Sequence, residues 1–241
     1  MKKMFPIAVL ALGAIVFAAV AFVQPTTDDH GNHSKTSDPQ PTTTPTPTPT
    51  TQTTPEEKVQ EDTMVYISME TSMGTIYLAL NQTKAPISTE NFLAYLDEGY
   101  YNDTIFHRVM KDFMIQGGGF AEGLKKKPTK DEIKNEWTNG LKNMRGTIAM
   151  ARLGRQPDSA TSQFFINLKD NTFLDQPRDG AGYAVFGQIV KGLDVLDAIG
   201  AVQTSPQGMH GNVPVEPVYI KAMTRVTDEQ AAELELAGTE G

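Results

Sequence analysis

The 241-residue chain is predicted to fold as a mainly β domain, an eight-stranded antiparallel barrel closed at its ends by two helices. Three observations carry that prediction. Residues 64–70, 75–80, 104–109, 113–116, 146–151, 163–167, 183–189 and 218–226 are short runs of β-forming side chains. Glycines and other turn residues punctuate the gaps between them. Only two stretches, 86–98 and 192–199, space their apolar residues as a helix does. Many short strands with few helices favour closure, because a closed sheet leaves no edge with unpaired backbone groups.

In chain order, residues 1–23 read as a targeting segment. Lys2 and Lys3 precede a charge-free apolar run from Met4 to Val23, and Ala19-Val20-Ala21 offers an A-x-A cleavage signal. The same run approaches the ~20 residues that span a bilayer, so it is expected either to be removed or to tether the protein through residues 4–23. Residues 24–62 form a linker, and 16 of the 20 residues 36–55 are Thr or Pro, a composition with nothing to bury. His30 and His33 within it read as solvated histidines, not as a metal site.

The folded domain is expected over residues 63–226, opening with a hairpin that turns at Ser72-Met73-Gly74. Pro86 suits an early helical position, Ser88 or Thr89 offers a capping hydroxyl, and Gly99 stops the first helix. Phe92, Leu93 and Leu96 supply its buried face, and Leu193, Leu196 and Ile199 that of the second. Residues 119–143 read as a polar connection in which Trp137 is anchored and Lys125–Lys127 are solvated. Residues 227–241 are acidic and too short for much independent helix stability, hence a frayed tail.

Composition narrows the function classes. Formal net charge is −8 and the sequence pI is near 5.0, so no basic surface for nucleic acid is expected. There is no cysteine, which removes disulfides, thiolate nucleophiles and cysteine-linked lipid. No Ser/His/Asp arrangement or metal-ligand spacing stands out.

Chemistry concentrates in residues 105–119 and 146–168. If 104–109 is one strand, Phe106 and Arg108 share a face while His107 and Val109 take the other. Met114 likewise shares a face with Gln116, and Gln163 with Phe165, opposite Phe164 and Ile166. One face then packs the core and the other lines a pocket with a single cation. An arginine between apolar neighbours is costly unless it is paired or faces a wet cleft. Phe113, Met114, Phe165 and Leu174 are also ordinary core residue types, so their pocket role rests on motif order.

That order is informative. FHRV, FMIQGG, GTIAMA, SQFFI and AVFG, in this sequence and spacing, resemble the cyclophilin-type peptidyl-prolyl isomerases, and the bacterial more than the animal members. The resemblance runs from about Thr63 to Val226 and implies an eight-stranded barrel capped by two helices. It also implies catalysis of cis/trans exchange at X-Pro bonds, with Arg108 and Gln116 as catalytic residues. By the same resemblance, Phe113, Met114, Ala151, Arg152, Gln163, Phe165, Phe173, Leu174 and Tyr183 bind the substrate.

The reaction breaks no bond and transfers no proton, so no cofactor is expected and His107 reads as structural. The expected partners are proline-containing segments of exported or envelope proteins, met by a monomer outside the cytoplasm. Three positions depart from the best-known eukaryotic pattern: Arg152 for Asn, Phe173 for Trp and Tyr183 for His. They bear on substrate preference and on cyclosporin-type inhibitors. The alternative is a noncatalytic envelope module or chaperone that holds proline-containing segments in the same pocket.

Overall fold

The computed structural model describes residues 62–177 and 179–238. The expected targeting segment and nearly all of the linker lie outside the described residues. Asp62, assigned to the linker from sequence, is already held by the domain. Its carboxylate accepts from Asn81 Nδ2 at 2.9 Å and pairs with Lys84 at 2.7 Å.

Strands β1 (Met64–Thr71) and β2 (Gly74–Asn81) form the expected hairpin, followed by helix α1 (Pro86–Asp97). Next come β3 (Thr104–Ile105), β4 (Arg108–Met110), β5 (Met114–Gly117), β6 (Phe120–Ala121) and β7 (Lys125–Lys126). Then follow β8 (Thr147–Met150), β9 (Phe164–Asn167), β10 (Val185–Lys191) and helix α2 (Leu193–Gly200). The hairpin β11 (Thr204–Gln207) and β12 (His210–Pro214), strand β13 (Tyr219–Arg225) and helix α3 (Asp228–Gly238) complete the order.

The class is mainly β, as expected, but the strand count is not eight. Eleven strands form one antiparallel sheet in the order β4-β5-β9-β8-β10-β2-β1-β13-β3-β6-β7, with β11-β12 a separate pair. The sheet curls: β4 at one edge and β3 near the other are separated in sequence only by Phe106 and His107. The expected strand 104–109 breaks at that pair. Phe106 donates its N–H to Val218 O and drops its ring into the main core with Val109, so Phe106 does not share a face with Arg108. His107 is not aimed into that core either; it lies against Phe120 and His210.

Side-chain alternation holds within the regular strands. Ile115, Ile148, Phe164 and Ile166 join the main core with Phe92, Ile67 and Leu78. Met114, Ala149 and Phe165, their neighbours along the same strands, form a second cluster with Leu174 and Val185 on the opposite face. The register places Gln116 beside both Arg108 and Phe165.

Both helices occur, with two corrections. Neither Ser88 nor Thr89 caps α1. Both are buried inside its first turns, and the free Ile87 and Ser88 amides donate to the Glu136 carboxylate at 3.0 and 2.8 Å. Ser88 Oγ donates to it as well, at 2.7 Å. An acid at a helix N-terminus also answers the positive end of the backbone dipole, and only the fold brings this one there. In α2, Leu196 and Ile199 are buried while Leu193 is exposed. The expected frayed tail is helix α3, opened by a reciprocal box. Thr227 Oγ1 accepts from Gln230 N at 3.3 Å, and Gln230 Oε1 accepts from Thr227 N at 3.2 Å. Leu234 then buries against the domain, supplying the tertiary contact a short helix needs.

Candidate active site

The outer face of β4, β5 and β9 is the floor of the site. A cavity of about 150 Å³ is lined by Arg108, Phe113, Met114, Gln116, Ala151, Arg152, Phe165, Leu174 and Tyr183. All nine are residues singled out from the sequence. Its apolar half is Phe113, Met114, Phe165 and Leu174. The polar half is a chain of side chains: Arg108 Nη1 donates to Gln116 Oε1 at 3.4 Å, and Gln116 Nε2 donates to Gln163 Oε1 at 2.9 Å. That first bond is long. Arg108 is half-buried, and among the described residues no carboxylate pairs with it. Its guanidinium therefore retains donors for another oxygen.

Glycines let Gln163 close on this array. At Gly118 φ is +78°, and a Cβ would stand 2.7 Å from Ser162 O; at Gly119 it would stand 2.6 Å from the Gln163 side chain. Gln163 itself lines an adjoining cavity of about 240 Å³ with Lys126, Thr129 and Glu132. Lys125 and Lys126 are exposed, as expected, but they form a short strand and not a loop, and Lys126 borders this cavity. Lys127 donates to Tyr100 O, its ammonium 4.6 Å from the Tyr100 ring centroid.

Two residues expected to bind substrate are placed differently from the rest. Arg152 reaches the wall, but its side chain is 1% exposed and its donors are engaged. Nε bonds Gly182 O at 3.1 Å, Nη1 bonds Leu153 O at 3.1 Å, and Nη2 bonds Asp179 and Ala181 O. Its guanidinium also lies 4.5 Å from the Tyr183 ring centroid. Arg152 thus braces the loop behind Tyr183. The Asp179 carboxyl is held below its usual range by its hydrogen bond from Arg152. Phe173 does not line the cavity; 42% exposed, it stacks on Phe113 with centroids 5.8 Å apart and forms the rim.

Sequence reasoning missed the layer that holds the pocket. Asn143, Asn167 and Asn171 are all fully buried. Asn171 Nδ2 donates to Phe113 O at 2.8 Å and to Asn167 Oδ1 at 2.8 Å. Asn167 Nδ2 donates to Asn143 Oδ1 at 3.1 Å, and Asn143 Nδ2 to Asp175 Oδ1 at 2.8 Å. The network ties Phe113 to the turn that carries Leu174. One signal was available: Asn167 ends an otherwise apolar strand, where an amide is costly without partners.

Residues 119–143, whose role was not legible, link α1 to this wall. Glu136 caps the helix, Asn135 donates to Gly182 O at 3.1 Å and Asn139 to Val185 O at 2.9 Å. Trp137 packs so closely on Gly182 that a Cβ there would stand 2.9 Å from the indole.

His107 is 4% exposed. Burial, with His210 and Arg108 nearby, pulls its pKa down to about 4, so the ring is neutral at neutral pH.

Comparison with known proteins identifies the family. Residues 66–225 match the family described as cyclophilin type peptidyl-prolyl cis-trans isomerase/CLD. A peptidyl-prolyl cis-trans isomerase of Acinetobacter baylyi is 57% identical over 154 residues, 64% of this chain and 81% of that protein. Peptidyl-prolyl cis-trans isomerase B of Escherichia coli is 52% identical over 161 residues, 66% of this chain and 98% of that one. A Cryptosporidium parvum cyclophilin type isomerase, solved in the presence of the dipeptide Ala-Pro, superposes with a TM-score of 0.55 at 26% identity. It spans 68% of this chain and 99% of that one.

Proposed function

The chain belongs to the cyclophilin-type peptidyl-prolyl cis-trans isomerases, and from that premise we propose that Arg108 drives exchange at X-Pro bonds of exported polypeptides. Rotation about the bond loses amide resonance, a barrier of ~18–20 kcal/mol. The cavity bounded by Phe113, Met114, Phe165 and Leu174 suits a proline ring. Beside it, Arg108 and Gln116 form the polar edge. As the amide twists, its nitrogen regains a lone pair and the conjugation of the carbonyl is lost. A guanidinium fixed next to the ring holds the carbonyl after proline and donates toward that nitrogen, favouring the twisted state over the planar one. Gln116 orients Arg108, and Gln163 fixes Gln116 in turn. No proton has to move, which leaves the neutral His107 outside the chemistry.

The single observation that carries this reading is an arginine with no acid partner among the described residues, held at the lip of an apolar cavity by one long hydrogen bond. Exchange spectroscopy on a proline-containing peptide tests it. Wild-type protein is expected to accelerate exchange without added metal or cofactor. A protein that binds the peptide without accelerating exchange identifies instead a module that only holds such segments.

The apolar run 4–23 ahead of the Thr/Pro-rich stretch supports an extracytoplasmic location, where clients are chains folding after export. The mature N-terminus, read by mass spectrometry from cells, distinguishes release after Ala21 from tethering. Full-length protein in the cytoplasmic fraction overturns the export reading.

A further inference from the structure

The proline cavity is not isolated. A further cavity of about 410 Å³, which Phe113 does not line, opens between β4 and the β11–β12 hairpin and shares the Arg108 and Gln116 side chains with the proline cavity. Gln116 also borders the cavity that holds Lys126 and Glu132. Three cavities therefore meet at one polar array, as required of a cleft that takes several residues of an extended chain.

We propose that the hairpin-side cavity is a second side-chain subsite for the polypeptide substrate, taking an aromatic residue that flanks the proline. The proposal rests on the reading of the neighbouring cavity as the proline pocket. The chemistry of the walls selects the occupant. The Phe120 ring is buried with the His107 and His210 imidazoles 4.6 and 5.2 Å from it, centroid to centroid, which gives a wall of ring faces and edges. Met209, at the hairpin turn, borders the same cavity and is 100% exposed. A fully exposed thioether on a binding rim is an adaptable contact for aromatic rings.

The cavity also offers a polar contact. His107 Nδ1 is buried with no hydrogen-bond partner among the described residues. A sealed nitrogen is better left as the unprotonated acceptor of the neutral ring than as an orphaned donor, which places the proton on Nε2. His107 lines the cavity, and with Nδ1 sealed the other ring nitrogen, protonated in this tautomer, is the one suited to meet a peptide carbonyl beside the aromatic residue.

The test scans one phenylalanine through the positions on either side of proline in an otherwise all-alanine peptide and measures kcat/KM by exchange spectroscopy. In wild-type protein one position is expected to raise kcat/KM about fivefold over the all-alanine peptide, chiefly through KM. In the double variant Met209→Ala, His210→Ala that ratio is expected to fall toward one. Both residues lie in a hairpin outside the main sheet, and circular dichroism checks that the variant is folded. A ratio retained in the variant, or a wild-type ratio of one at every position, overturns the subsite. Wild-type protein that leaves the all-alanine peptide unaccelerated overturns the proline-pocket reading instead.

Discussion

The two faces of β5 and β9 are built from alternate residues of the same strands, yet they are finished to different standards. On the inner face Ile115, Phe164 and Ile166 are fully buried, and Phe164 makes edge contacts with Phe92, Tyr101 and Phe106 at centroid distances of 5.6, 5.7 and 6.4 Å. On the outer face Met114 and Phe165 belong to a smaller buried cluster and line a cavity that Arg108 and Gln116 also border. A strand with period two can serve stability with one set of residues and function with the other. Substitutions one position apart should therefore fail in different ways.

The largest expected effect lies inside. Phe164→Ala removes a ring from the aromatic cluster, and truncations of this kind cost ~3–5 kcal/mol. Denaturant unfolding is expected to show that loss, while the rate per folded molecule changes by less than about tenfold. A variant as stable as wild type would break the comparison, because the inner face would then not be the one that bears the load.

Arg108→Ala should show the converse. Loss of a donor that acts on the transition state in a partly dry site costs about 10²–10³ in rate. The unfolding midpoint is expected to move little, since Arg108 makes one long bond and no ion pair among the described residues. Arg108→Lys should recover little, because an ammonium on a flexible stem does not reproduce the planar fork. A folded Arg108→Ala protein with near-normal turnover sinks the mechanism.

His107 belongs to neither face, since it sits where β3 and β4 part, and its test is pH. Its folded pKa is about 4 against an ordinary 6.5. Between those values the unfolded chain binds a proton that the folded protein does not, so stability falls as pH drops from about 6.5 to about 4 and this contribution is flat below. The full effect is on the order of 3 kcal/mol at ~1.4 kcal/mol per unit. His107→Gln should flatten the curve in that window. Asp97, held below its usual range chiefly by its hydrogen bond from Arg225, loses its contribution only as pH falls through its lower folded value. A wild-type curve that stays flat between pH 6.5 and 4 would show that His107 is as free to ionise as a solvated histidine.

The same contrast explains what was legible in the sequence. Alternation separated Phe164 from Phe165 and Met114 from Ile115, because regular strands obey a local rule. It failed between Ile105 and Arg108, where the chain passes from one sheet edge to the other and Phe106 turns inward to pack beside Gly117. The cap of α1 was illegible for a related reason: Glu136 lies 48 residues from Ser88, and no local pattern joins them. Arg152 lines the cavity, but the carbonyls of Ala181 and Gly182 that engage its donors became visible only in three dimensions. In α3 the local signal was present, Thr227 with Gln230 three residues on, and went unread beside the acidic composition.

The smallest effect sharpens the outer face alone. Phe173 forms the rim by stacking on Phe113 at an interplanar angle of 21°. It stands where the eukaryotic pattern has a tryptophan, whose indole N–H is a donor that phenylalanine lacks. One such bond is worth ~0.5–1.5 kcal/mol, roughly threefold to tenfold in affinity. Phe173→Trp is therefore expected to tighten binding of a cyclosporin-type inhibitor by that factor in calorimetry. Its exposed position gives the larger ring room, so the unfolding midpoint should stay within about 0.5 kcal/mol of wild type. A variant with unchanged affinity would refute the donor account and leave ring stacking as the contribution of the rim. One that gained stability without affinity would mean that residue 173 is part of the packing that holds Phe113, and the boundary between the two faces would then run outside it.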